Sequence, residues 1–153
     1  LLDAFSEAKK RRPELKLALV GDGNDRSAIG ARVCALDLDD SVVLTGFRDD
    51  VPALMSAFDA FALPSRFEGL GIVLVEAQAS GLPCIASDAV PHEANVTNCG
   101  FLTLDSVETW AQAFIKAKAP ESRAVDTADF QRMGYDITQA ADVLERFYLE
   151  VAK

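Results

Sequence analysis

The chain has 153 residues, of which 50% are hydrophobic and 25% are charged, so it has room for one packed domain and is too apolar to be disordered. Its 15 basic and 24 acidic residues give a net charge of −9, which argues against a nucleic acid as partner, because nucleic-acid binding relies on clustered lysine and arginine. No run approaches the roughly 20 apolar residues that a membrane-spanning helix needs.

Apolar runs suited to buried strands alternate with helical patterns along the chain. We predict strands at 15–20, 42–45, 60–63, 83–86 and near 100–104. We predict helices at 1–11, 24–36, 50–58, 71–80, 91–97 and 106–118, and a closing helix that begins after Asp136. This order predicts an α/β fold with a doubly wound, Rossmann-like parallel sheet. The chain begins without methionine and already within a helical pattern, which indicates a fragment.

The candidate ligand-binding residues follow the predicted strands. In an open parallel sheet, ligands bind beyond the carboxyl ends of the strands. Gly21-Asp22-Gly23 and Gly46-Phe47-Arg48 occupy two such ends, and residues 64–71 occupy a third. In that third loop, glycine backbone N–H groups at the start of a helix can approach an anion closely.

Glu76 is unusual because its predicted helix is apolar on nearly every side. We therefore predict that the helix is buried and that the Glu76 carboxylate is buried with it. A buried carboxylate needs hydrogen-bond partners. A ribose diol would donate two hydroxyl groups, and an arginine or backbone amides would serve equally well, so both possibilities stay open. For Glu68, spacing alone favours a solvated loop charge.

The three cysteines do not suggest a metal site. Cys34, Cys84 and Cys99 are far apart and lack the CxxC or Cys/His spacing of zinc ligands. His92 is the sole histidine, and no second metal ligand is patterned near it. The sequence therefore predicts no metal site.

The stretch PSRFEGLGIVLVEAQASGLPCIAS resembles the E-x7-E region of the retaining glycosyltransferases of family 4, the group 1 transferases of GT-B fold. Glu68 and Glu76 stand at the two Glu positions, with seven residues between them. LALVGDG, VVLTGFRDDVPALMSAFDAFALPSRFEG and EAQASGLPCIASD agree in order and spacing, so the resemblance covers about residues 1–118. Within the family, EAQASGLPCIASDAVPHEANVT is most similar to bacterial enzymes that assemble exopolysaccharide or capsule.

The resemblance implies a role for each matched position. Glu76 would bind the ribose of the donor, and Glu68 would act as the catalytic-site carboxylate beside the donor sugar. The loop amides would meet the sugar or the diphosphate, Leu74 would pack near the nucleoside, and the turn after the second strand would contact the base. The implied donor-binding residues are Gly21, Gly23, Gly46, Phe47, Arg48, Ser65, Glu68, Gly69, Leu70, Gly71, Leu74 and Glu76.

The same resemblance implies the reaction and its partners. The donor would be a UDP- or GDP-sugar, used with retention and without a metal or cofactor, and the acceptor a saccharide or lipid-linked saccharide. Residues 1–153 would form the donor-binding domain without its first strand and without the N-terminal acceptor domain, and would be inactive alone. The full-length enzyme would be cytoplasmic and peripheral at the inner membrane face.

Two other functions remain open from the residues alone. One is a dinucleotide-binding oxidoreductase domain, although Gly21-Asp22-Gly23 lacks the third glycine of GxGxxG and no acid stands about 20 residues further on at a clear strand end. The other is a non-catalytic Rossmann-like scaffold. The sequence does not separate this scaffold from an enzyme fragment.

Overall fold

The computed structural model describes residues 1–152, and their elements follow the predicted order closely. The one element without a predicted range is α6, which lies in the stretch through Gly134, where the sequence predicts only loose helical structure. Within the described residues, no helix has the length and apolarity needed to cross a bilayer. The elements are α1 (Leu2–Arg11), β1 (Leu17–Val20), α2 (Arg26–Ala35), β2 (Val42–Gly46), α3 (Val51–Ala57), β3 (Phe61–Leu63), α4 (Ile72–Ala79), β4 (Cys84–Ser87), a 3-10 turn (His92–Ala94), β5 (Cys99–Leu102), α5 (Val107–Lys116), α6 (Thr127–Arg132) and α7 (Ile137–Val151).

The strands are parallel, as predicted, but they form two sheets. β1 pairs with β2, with Leu17 opposite Val42. The second sheet has the order β3-β4-β5, with Cys84 of β4 opposite both Phe61 and Cys99. The prediction of one continuous sheet is therefore wrong for the described residues. In the described residues, β1 and β3 do not pair with each other, so nothing joins the two sheets by backbone hydrogen bonds.

Helices cover both faces of β3 and β4, so the doubly wound arrangement is confirmed for the second sheet. On one face, Phe5 of α1 and Phe114 of α5 meet edge to face, with ring centroids 6.0 Å apart. This core touches both sheets, since Leu19 and Ile85 pack against it. On the other face, α3 and α4 cover β3 and β4. The shared core makes the two sheets parts of one folded unit.

The closing helix α7 begins where the sequence predicts. The side chain of its N-cap residue, Asp136, accepts a hydrogen bond from the N–H of Gln139 at 3.0 Å. None of the residues of α7 is buried, and apolar side chains such as Ile137 and Phe147 are exposed. The apolar periodicity thus predicts the helix correctly, but this face packs against nothing in the described chain.

Candidate functional site

Two glycines that follow β1 and end β2 meet at the carboxyl edge of the first sheet. The N–H of Gly21 donates to the carbonyl of Gly46 at 3.0 Å, and both residues have positive φ angles, of 130° and 71°. A Cβ atom at Gly46 would lie 3.3 Å from Nη1 of Arg26, so a side chain would crowd the guanidinium. Phe47 follows Gly46 with 81% of its surface exposed, which leaves its aromatic ring free for contact.

Arg48, at the same edge, is paired within its own turn. Its Nε and Nη2 atoms donate to the two carboxylate oxygens of Asp50 at 2.7 and 2.5 Å. These hydrogen bonds raise the pKa of Arg48 and lower the pKa of Asp50. Asp50 is the N-cap residue of α3, but its side chain does not cap the helix because Arg48 holds it. A ligand must compete with Asp50 for this cation.

Residues 64–71 form the loop between β3 and α4, hereafter the 64–71 loop. Ser65 Oγ donates to Glu68 Oε1 at 2.6 Å, so the serine orients the half-buried carboxylate. The backbone carbonyl of Ser65 in turn accepts a hydrogen bond from the Ser87 hydroxyl at the end of β4. Two predicted site residues, Ser65 and Glu68, are thus in direct contact at the carboxyl edge of the second sheet.

The 64–71 loop ends at an open helix N-terminus. Gly71 is the N-cap of α4 in a left-handed conformation, with φ of 77°, and within residues 1–152 the N-terminus of this helix has no side-chain cap. Gly69 and Leu70 are exposed. The first turn of a helix has N–H groups without partners in the helix, and these attract anions. The anion-binding role of these backbone amides stays a prediction.

Glu76 is exposed, so the predicted burial of its carboxylate is wrong. Ile72, Glu76 and Ala79 form an exposed stripe along α4, hereafter the α4 stripe, because residues three and four apart share a helix face. The apolar composition of α4 suggested burial on every side. The structure instead turns the α4 stripe away from the core.

Glu76 lines a cavity of about 270 Å³ between α3 and α4. Val51, Pro52 and Met55 line its other side. None of the ion pairs formed among residues 1–152 uses Glu76. The alternative of a structural pairing with arginine therefore finds no support in the described residues.

The structure also corrects the prediction for Leu74. This side chain is 0% exposed and belongs to the core around α4. Its N–H donates to the carbonyl of Gly71 at 2.9 Å. Leu74 thus has no free surface for a nucleoside, because it lies on the face of α4 opposite the α4 stripe.

The residues at the carboxyl edge come from two different sheets. Gly21, Gly23 and Gly46 belong to the edge of the β1–β2 sheet, whereas the 64–71 loop follows the β3-β4-β5 sheet. Gly23 is exposed, and its N–H donates to Asp22 Oδ1 at 2.8 Å. Sequence reasoning correctly placed both groups at strand ends, but it predicted a single sheet to join them.

The described residues contain no cluster of metal ligands, and their two buried cysteines are protonated. Among the described residues, no group of three or more His, Cys, Asp or Glu side chains is arranged to hold a metal ion. Burial raises the pKa of Cys84 to about 12 and the pKa of Cys99 to about 11, so both remain thiols at neutral pH. Cys34 is exposed on α2.

Comparison with known proteins gives the family of the chain. The model of the glycosyl transferases group 1 matches residues 1–118. EpsF of Bacillus subtilis (strain 168), whose name describes it as a glycosyltransferase, is 33% identical over 154 residues, which cover 97% of this chain and 40% of EpsF. The UDP-Gal:alpha-D-GlcNAc-diphosphoundecaprenol alpha-1,3-galactosyltransferase of Escherichia coli is 27% identical, covering 91% of this chain and 38% of the enzyme.

A solved structure supports the same family. HepE of Anabaena in complex with UDP-glucose superposes with a TM-score of 0.75 and 27% identity, over 95% of this chain and 44% of HepE. The chain spans about two fifths of the length of the first two relatives. The fold is the Rossmann-like half of a GT-B glycosyltransferase. With a family model that matches most of its length, the chain belongs to the group 1 glycosyl transferases.

Proposed function

We propose that residues 1–153 form the donor-binding domain of a retaining glycosyltransferase that uses a UDP- or GDP-sugar. The observation that carries this proposal is the α4 stripe. It places the exposed Glu76, which forms no ion pair among residues 1–152, beside a cavity and on a helix without a side-chain cap at its N-terminus. Membership of the group 1 glycosyl transferases argues against a dinucleotide-binding oxidoreductase domain. HepE, which is similar to this chain, binds UDP-glucose in its solved structure.

In the proposed complex, the donor lies along α4. The diphosphate meets the amides of Gly69, Leu70 and Gly71, where the helix dipole is positive. The ribose hydroxyls donate to the Glu76 carboxylate, which lies five residues beyond Gly71, or roughly 7–8 Å along the helix axis. The base reaches the edge of the first sheet, where the ring of Phe47 is exposed.

Glu68 is the proposed catalytic-site residue. Its hydrogen bond with Ser65 fixes a half-buried carboxylate in the loop that leads to the diphosphate site, where it would contact the hydroxyls of the donor sugar. As the bond between sugar and diphosphate breaks, negative charge develops on the leaving diphosphate. The preorganised N–H groups at the start of α4 stabilise that charge without a metal.

We also propose that a strand outside the described residues completes the sheet between β1 and β3. The residues of β3 and Leu17, Ala18 and Leu19 of β1 are only half-buried, although doubly wound sheets bury their central strands. In the common doubly wound order, the strand that precedes β1 in the sequence occupies this position. The full sheet would then have the order β2-β1-X-β3-β4-β5, where X is the added strand, and both parts of the site would share one edge.

The acceptor is proposed to bind a second domain, because the relatives are more than twice as long as this chain. We propose a saccharide or lipid-linked saccharide acceptor and a role in bacterial polysaccharide synthesis, at the cytoplasmic face of the membrane. The name of the E. coli relative, which describes transfer to a diphosphoundecaprenol-linked sugar, supports this class of acceptor. The described chain alone is then expected to bind donor nucleotide weakly and to transfer no sugar.

The proposal is tested with the intact polypeptide that carries this chain. Radiolabelled UDP- and GDP-sugars are offered with membrane lipid extracts and oligosaccharides as acceptors, and the anomeric configuration of the product is read by NMR. We expect transfer with retention, and we expect Glu68→Gln to lower kcat by about tenfold or more, since a hydrogen bond to a charged group contributes about 1.5–3 kcal/mol. Ser65→Ala removes the hydrogen bond to the Glu68 carboxylate but keeps its charge, so it should lower kcat less than Glu68→Gln does. Binding of neither UDP nor GDP, with no transfer from any donor, would overturn the proposal.

A further inference from the structure

Gln78 is a buried polar side chain on α4 that the proposed donor site does not use. It is 1% exposed, and its amide group makes hydrogen bonds in two directions. Nε2 donates to the carbonyls of Leu74 at 3.0 Å and Ala94 at 2.7 Å. Oε1 accepts from the N–H groups of Val96 and Thr97, both at 2.9 Å. One side chain therefore links α4 to the connection between β4 and β5.

That connection, residues 88–97, is held at both ends and touches the N-terminus of α4 between them. At its start, the N–H of Asp88 donates to the carbonyl of Leu102 at 2.9 Å, and at its end Gln78 binds it. Between these anchors lies Val90, which is 1% exposed. A Cβ atom at Gly71 would lie 3.1 Å from Cγ1 of Val90, so the valine packs closely against the N-cap of α4.

We infer that Gln78 is a positioning residue for donor binding, which holds Val90 against Gly71 and so fixes the loop amides that meet the diphosphate. This inference rests on the proposed function. Its physical basis is that displacement of residues 94–97 would leave buried N–H and carbonyl groups without partners. The hydrogen bonds of Gln78 therefore give the 88–97 segment one well-defined position.

The experiment compares the intact polypeptide with its Gln78→Met variant, which keeps the side-chain length and removes the hydrogen bonds to the segment. Calorimetric titration with UDP and with GDP should show a dissociation constant raised by about tenfold or more, since small displacements of binding groups are costly. Without ligand, amide hydrogen exchange at Leu74, whose N–H donates to the carbonyl of Gly71, should be faster. Phe114→Leu is the matched control, because it destabilises the core on the opposite face and should leave nucleotide affinity and the exchange of this amide unchanged.

Each result decides the inference. A folded Gln78→Met variant with the affinity and exchange rates of the parent overturns it. Where Gln78→Met does not fold, Val90→Ala replaces it, since that change opens only the contact with Gly71, and an unchanged affinity then overturns the inference. If the parent binds neither UDP nor GDP, the proposed function fails, while the exchange comparison still decides whether Gln78 fixes the loop.

Discussion

Substitution of Glu76 tests the centre of the proposed donor site. Because the carboxylate is exposed and no ion pair among residues 1–152 uses it, Glu76→Ala should change the free energy of unfolding by less than about 0.5 kcal/mol. Donor binding should respond far more strongly. A hydrogen bond to a charged group contributes about 1.5–3 kcal/mol, and the ribose would donate two of them.

The loss of even one such bond weakens binding by about tenfold, so Glu76→Ala should raise the dissociation constant for donor nucleotide by tenfold or more. Glu76→Gln keeps a hydrogen-bond acceptor and the size of the side chain but loses the charge. Its dissociation constant for donor nucleotide should therefore lie between those of the parent and Glu76→Ala. The assay is calorimetric titration of the intact polypeptide with UDP and GDP, together with thermal melts. Glu145→Ala, on the exposed helix α7, is the matched control. Parent-like affinity in Glu76→Ala would refute the ribose assignment, and a large stability loss would point to a structural carboxylate.

Two further predictions concern folding. Gly71→Ala should lower the free energy of unfolding, measured by urea titration, by about 1–2 kcal/mol, because Gly71 has a φ of 77° and Val90 leaves little space for a Cβ atom. Gly69→Ala is the control, since a Cβ atom there would meet open space. Equal losses of stability in the two variants would contradict the reasoning. The hydrogen bond from Arg11 lowers the pKa of Glu108 from an ordinary 4.5 to about 2 in the folded chain, so its stabilising contribution is complete above pH 4.5 and lost as the pH falls through about 2. The difference in melting temperature between the parent and Glu108→Gln should therefore shrink as the pH falls from 4.5 to about 2. A difference that does not change with pH would refute the stabilising role of the Arg11–Glu108 pair.

The sequence alone determined the order of elements and the location of the candidate site at the strand ends. Short apolar runs bounded by glycine and proline identify strands because a buried strand needs apolar side chains on both faces. The E-x7-E resemblance located Glu68 and Glu76, and the structure adds that Ser65 holds Glu68. These features are local in the chain, so local patterns are sufficient to find them.

Burial and pairing were decided only by the tertiary structure. The helix α4 is apolar on almost every side. Its composition therefore does not predict that Glu76 faces outward while Leu74 and Gln78 face the core. Similarly, alternating strands and helices predict a parallel sheet, but not that β1 and β3 remain unpaired with each other in residues 1–152. The covered face of a helix and the pairing of strand edges depend on groups that are distant in the sequence. The residues of one segment therefore do not specify them.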